Sequence, residues 1–177
     1  MERLAAVGFT GPMTTNPLLI ATTAASITSA AVGGVFYAFS AFVMRGLDRT
    51  GPLDAITAMR GINAEAERNA PLLVLLFGSA LLALVAGVVA AAQWRQAGSG
   101  FVIAGAVCAL AAVVVTIAFN VPLNNHLAGV DPTALSLTEA AHEWQSYLSS
   151  WTAYNHVRTG APLLGSVLLL TGLRLRG

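Results

Sequence analysis

The sequence contains no lysine, one cysteine and very little charge. Charged residues make up 10% of its 177 residues, against roughly 25% in a typical soluble domain. A soluble chain of this length needs a charged shell, and these residues are too few to make one. Hydrophobic residues reach 56% and the mean hydropathy is strongly positive, so the solvent that suits the chain is lipid. Every basic residue is arginine, the formal net charge is +1 and no basic run exists. That excludes nucleic acid as a partner. The lone Cys108 lies in an apolar run. It can form neither an internal disulfide nor a CxxC pair, which excludes thiol oxidoreductases, and it reads as a small helix-packing residue. Internal repeats of the transporter kind are absent. So is a glycine-rich nucleotide motif, and neither flavin nor nicotinamide is indicated.

The sequence does carry four long apolar segments. Residues 17–44 hold no charge before Arg45 and are too long for a signal-peptide core. Pro17 suits a first helical turn, and Ala30, Gly34, Ala38 and Ala41 form a small-residue stripe that predicts close helix packing. Residues 70–93 are uncharged and bracketed by Arg68 and Arg95. About 20 apolar residues cross a hydrocarbon core, so this is the clearest span. The third, 101–121, places Gly105, Ala109, Ala112, Thr116 and Asn120 on one helical face, with Pro122 as its end. The fourth apolar run, 159–173, reaches spanning length only if its helix begins near Trp151. Between the spans, residues 54–67 predict a short interfacial helix, and 131–150 a polar helix started at Asp131 or Ser136 and supported by Glu139. The fold expected is all-α: an integral-membrane four-helix bundle, a single domain over residues 1–177.

Four spans fix two sides. The ends of spans one and three share a side with the starts of spans two and four. All three histidines and every acidic residue except Glu2 fall there. Such segregation points to chemistry at one end of the bundle. Five arginines on that side against four on the other leave the positive-inside rule nearly tied; the acid-poor flanks of the opposite side favour cytoplasmic termini.

On the fourth span, Trp151, Asn155, Arg158 and Pro162 share a face, while His156 points about 100° away from it. An arginine at full bilayer depth costs roughly 2.5–3.5 kcal/mol on insertion scales, so it faces a polar interior or snorkels. Asn120 and Asn124 reach the same depth from the third span. Turning these groups toward one another makes a polar cup. Plainer roles compete: Arg158 reaching head groups, Trp151 and Tyr154 as interface aromatics, Asn120 and Asn124 as caps, Glu65 and Glu67 as a solvated face. His126, His142 and His156 lack tight ligand spacing, and HEWQSY lacks the second histidine of an HExxH pair, so no metal site is expected.

FYAFSAFVMRGL, AMRGINAEAERNAP, NVPLNNHLAG and WTAYNHVRTGAPLL resemble the anthrone oxygenase-like family of bacterial and fungal membrane proteins. The likeness runs over essentially the whole chain. The N-x-P-x-N element paired with W-x3-N-x2-R is its specific part. The resemblance implies motif positions at Asn63, Asn120, Pro122, Asn124, Trp151, Asn155 and Arg158, with His156 matching only part of the family. It also implies oxidation of an anthrone-like, lipophilic aromatic substrate by dioxygen. An anthrone carries an acidic methylene, and its enolate can pass an electron to dioxygen directly. The protein must supply a base, donors for the enolate oxygen and a dry slot. His156 is the base by residue type. Arg158, Asn155 and Asn124 are the donors. Trp151 and Tyr154 stack on a flat polycycle, with Asn120 and Asn63 completing the substrate site.

The expectation is therefore a cofactor-free, multi-pass oxygenase of a bacterial plasma membrane, its partners the lipid bilayer, dioxygen and a lipophilic small molecule. The rival readings are a metal-dependent oxidase using the three histidines and a non-catalytic bundle or partner subunit. The sequence sets no oligomeric state.

Overall fold

The computed structural model describes residues 17–176; Glu2 and the N-terminal flank lie outside the described residues. Five helices carry the fold: α1 (Pro17–Asp48), α2 (Pro52–Arg68), α3 (Ala70–Ala92), α4 (Ser99–Ala128) and α5 (Leu137–Arg174). A short 3₁₀ turn, Pro132–Ala134, precedes α5. No strand occurs among the described residues. The helices α1, α3 and α4 are long and apolar enough to cross a membrane, which marks the chain as a membrane protein. The C-terminal half of α5 runs between α1 and α4, so the four long helices form one bundle, as the sequence predicts. α5 is less apolar because its N-terminal half carries exposed polar residues such as Glu139, His142 and Gln145, and Asn155, His156 and Arg158 follow in the next turns.

The seam between α4 and α5 is made of glycine. A Cβ added at Gly165 would lie 2.8 Å from the Gly105 carbonyl oxygen, and one at Gly105 would lie 2.9 Å from that of Gly165. The two backbones touch, and only hydrogen fits between them. Gly98, at φ +78°, starts α4 directly against the Gly172 carbonyl of α5. Gly105, Ala109, Ala112 and Asn120 are all buried, so the predicted face of α4 is the packed one.

On α1 the packed face differs from the predicted stripe. Gly34 meets nothing within 4 Å and is exposed. Thr22, Ser26, Ser29 and Gly33 are buried instead. Ser26 Oγ donates to the Ser166 carbonyl at 3.0 Å, and Ser29 Oγ lies 3.2 Å from Ser79 Oγ. In an apolar solvent a hydroxyl gains more from an interhelical hydrogen bond than a methyl gains from contact, so the serine-threonine face turns inward.

Two helices also run past their predicted ends. Pro122 does not stop α4, because a π-turn, Thr116–Asn120, comes just before it. The proline then occupies the first turn of the segment that follows, where its missing N–H does least harm. The polar helix and the fourth span are one continuous α5 of 38 residues. Ser136 caps it: its Oγ accepts from the Glu139 amide at 3.3 Å, and the Ser136 amide donates to Glu139 Oε2 at 2.9 Å.

The polar side of the bundle has its own core. Met44 of α1, Ile56 and Met59 of α2, Leu127 of α4 and Trp144, Tyr147 and Trp151 of α5 are buried together. Trp144 Nε1 donates to Asp48 Oδ1 at 2.8 Å, tying α5 to the end of α1. This packing fixes α2 across the end of the bundle and the first turns of α5 above it.

Candidate functional site

One face of α5 builds the site. Tyr147, Trp151, Asn155 and Arg158, spaced i, i+4, i+8 and i+11, are all buried. Pro162 continues the face. It has no N–H, so the Arg158 carbonyl loses its helical donor.

Arg158 is only 4% exposed. Its Nη2 donates to Asn155 Oδ1 at 2.8 Å and its Nη1 to Thr116 Oγ1 at 3.4 Å, while Nε is buried without a partner. The guanidinium carbon lies 4.3 Å from the Phe36 ring centroid and 4.8 Å from that of Trp151. Such contacts stabilise a desolvated cation by about 2 kcal/mol. Among the described residues the one ion pair is His126–Glu143, 2.7 Å apart. The buried arginine therefore has aromatic and amide company and no counter-anion.

The surrounding amides are held in fixed orientations. Asn155 Nδ2 donates to the Phe36 carbonyl at 2.8 Å and to Ser40 Oγ at 2.7 Å, which leaves Oδ1 for Arg158. Asn124 Oδ1 accepts from both Tyr147 Oη and Trp151 Nε1 at 2.9 Å. With its oxygen taken, Asn124 has its NH₂ to offer a ligand. Asn63 Nδ2 reaches Tyr147 Oη at 3.4 Å, and Asn120 Nδ2 donates to the Trp151 carbonyl at 3.2 Å. Asn120 Oδ1 is buried without a partner. Two π-turns, Phe39–Val43 in α1 and Thr116–Asn120 in α4, flank this network. Wide turns of this kind occur frequently at functional sites.

A cavity of about 180 Å³ opens beside Arg158. Arg158, Asn124, Thr116, Asn63 and Glu67 supply its polar lining, and Phe36, Leu72, Leu73, Leu76, Phe77, Ile117 and Val121 most of the rest. Phe77 and Ile117 are exposed, so the cavity faces the lipid layer between α3 and α4.

The structure thus brings Arg158, Asn155, Asn124, Asn63, Asn120 and Trp151 into one network. Of these only Arg158, Asn124 and Asn63 line the cavity; Asn120, Trp151 and Asn155 stand behind its wall, and neither His156 nor Tyr154 reaches it. His156 is exposed and lines a separate hollow of about 370 Å³ with Ser40, Arg45, Asp48 and Thr152, between the end of α1 and α5. It lies next to Asn155 in sequence, so it leaves the helix on a different side. Tyr154 stacks on Phe119, with ring centroids 4.3 Å apart. His126 is paired with Glu143, and His142 lines a third hollow with Asp131 and Glu139. No three His, Cys, Asp or Glu side chains among the described residues form a metal-holding group. Sequence reasoning passed over Tyr147, Phe36 and Ser40, and assigned Glu67 to a solvated face. Tyr147 had a signal, lying one turn before Trp151 on the same helical face.

No curated protein and no solved structure matches the chain. The family model described as anthrone oxygenase matches residues 70–168. That segment contains α3, α4 and the part of α5 that carries Tyr147, Trp151, Asn155 and Arg158, and on this match the chain belongs to the anthrone oxygenase family.

Proposed function

We propose that the protein is a membrane-embedded, cofactor-independent oxygenase that converts the activated methylene of an anthrone-like aromatic to a ketone with dioxygen. The observation that carries this reading is the uncompensated guanidinium of Arg158. A buried cation with no ion-pair partner is poised for a ligand that brings, or develops, negative charge. Arg158 and the outward NH₂ of Asn124 are both donors, so they suit a ketone oxygen becoming an enolate.

The chemistry closes without further reagents. Loss of a methylene proton leaves an electron pair shared with the ketone oxygen. The enolate passes an electron to dioxygen, and recombination forms the carbon–oxygen bond of a hydroperoxide. Loss of water from that hydroperoxide leaves the new ketone. Overall, R₂CH₂ and O₂ become R₂C=O and H₂O.

Ligand pockets commonly measure roughly 300–1,000 Å³, larger than the 180 Å³ found here. A tricyclic ligand would therefore hold its ketone end against Arg158 and extend past Phe77 and Ile117 into lipid. A substrate that partitions into the bilayer would enter by that side, and a bacterial plasma membrane is the setting we propose. The test is conversion of anthrone to anthraquinone by protein in lipid nanodiscs under air, followed by absorbance. Oxygen-dependent turnover above the lipid-only background supports the reading; background rates alone overturn it.

A further inference from the structure

The proposed reaction needs a group that takes a proton from the substrate, and we infer that this group is Glu67. The inference rests on the reading of the cavity as an oxygenase site. The polar groups lining the cavity are Asn63, Glu67, Thr116, Asn124 and Arg158. Amides and a hydroxyl are poor proton acceptors near neutral pH, and a guanidinium is already protonated. The carboxylate of Glu67 remains.

Its position is set by the helix that carries it. Glu67 follows Asn63 by four residues on α2, so the two lie on one face. Asn63 is buried and bonded to Tyr147, which directs that face toward the cavity. No hydrogen bond or ion pair engages the Glu67 carboxylate among the described residues. Glu65 is exposed on the same helix and does not line the cavity. Glu67 is itself exposed, so it stands at the mouth. A base there can take a proton from the substrate on one side and release it to water on the other. His156, the other candidate by residue type, opens into the separate hollow between α1 and α5.

In the step itself, the methylene C–H bond breaks and the proton moves to a Glu67 carboxylate oxygen. The electron pair stays on the substrate as an enolate facing Arg158 and Asn124. Dioxygen then oxidises the enolate as described above.

The experiment compares full-length wild type, Glu67→Gln, Glu67→Asp, Glu65→Gln, His156→Ala and Arg158→Met in nanodiscs. Anthrone turnover is measured across pH. Binding of anthraquinone, which has no methylene proton to lose, is measured separately. The inference expects Glu67→Gln to bind anthraquinone as wild type does while turnover falls about 100-fold or more. Glu67→Asp retains part of the rate, and Glu65→Gln matches wild type. Undiminished turnover in Glu67→Gln overturns the inference, and loss in His156→Ala alongside it moves the base to that histidine. Undiminished turnover and binding in Arg158→Met, or no turnover in wild type, overturns the reading of the cavity and the inference with it.

Discussion

Arg158 reaches back along α5 to Asn155, donating to its Oδ1 at 2.8 Å, and Asn155 can accept because its other end is committed to Phe36 and Ser40 of α1. The arginine is thus aimed by a residue anchored in a different helix. In Asn155→Ala both anchors are lost and Arg158 is left with weaker partners. Leaving buried polar groups unsatisfied costs roughly 1–3 kcal/mol. Thermal unfolding in nanodiscs should fall by that amount and turnover should fall with it. An unchanged melting temperature would mean that the network is not held as described.

Arg158→Met separates stability from function. Removing a desolvated charge relieves its solvation penalty, and because Arg158 has no ion-pair partner its replacement by an apolar side chain of similar length strands no buried counter-charge. The orphaned Asn155 oxygen offsets part of that gain. The variant should melt within a few degrees of wild type. Its kcat should fall by about 10²–10³-fold, the cost of losing one oxyanion donor. A large loss of stability with activity per folded molecule intact would make Arg158 a structural residue.

The seam between α4 and α5 gives a prediction about folding alone. A side chain at Gly165 meets the Gly105 carbonyl oxygen at 2.8 Å and the Ala109 amide nitrogen at 3.0 Å. Both are backbone atoms and neither can rotate away. Gly165→Val should destabilise by about 1–3 kcal/mol or more and broaden the gel-filtration peak. Gly34→Val, with nothing within 4 Å, should elute and melt like wild type. Equal behaviour of the two variants would contradict the packing.

The sequence made much of this legible, and the failures have physical causes. Apolar length located α1, α3 and α4 because bilayer thickness sets span length. The Gly105–Asn120 face was readable because only small side chains allow a close seam. The inward face of α1 is not the one its small-residue stripe predicts, because the serines and threonines that make interhelical hydrogen bonds turn inward instead. The π-turns have no pattern in composition or periodicity, yet one of them carries α4 through Pro122 to Asn124. The polar network was visible because Trp151, Asn155 and Arg158 share a helical spacing. The placement of Glu67 was not, because it depends on how α2 lies across the bundle end, and the Met44, Ile56 and Trp144 core decides that.

The cap of α5 titrates. Hydrogen bonds from the Ser136 hydroxyl, then from its amide, hold the Glu139 carboxyl below its ordinary range. A folded-state value below the unfolded one means that the cap's contribution is present above the unfolded value. It is lost as pH falls through the folded one. Amides in the first turn of α5 should therefore lose hydrogen-exchange protection as the medium is acidified below the ordinary carboxylate range. In Glu139→Gln the same amides should show little of this acid-dependent step. An identical acid response in the variant would place the titrating group elsewhere.

Tyr147 acts on the cavity through Asn124. Its hydroxyl and the Trp151 indole both donate to Asn124 Oδ1 at 2.9 Å, so the tyrosine is a positioning residue that keeps the NH₂ of Asn124 turned outward. Removing the hydroxyl leaves one donor on that oxygen, and the amide gains freedom to flip. Tyr147→Phe should lower kcat by about 10-fold, a little over 1 kcal/mol, with smaller change in KM, because in the proposed reaction the lost interaction matters most when charge builds on the enolate oxygen. Asn124→Ala should lower it further. The decisive variant is the double one. If Tyr147 works only through Asn124, Tyr147→Phe adds almost nothing once the amide is gone, and the two effects are strongly non-additive. Additive losses in kcat would mean that the phenol reaches the substrate by another route.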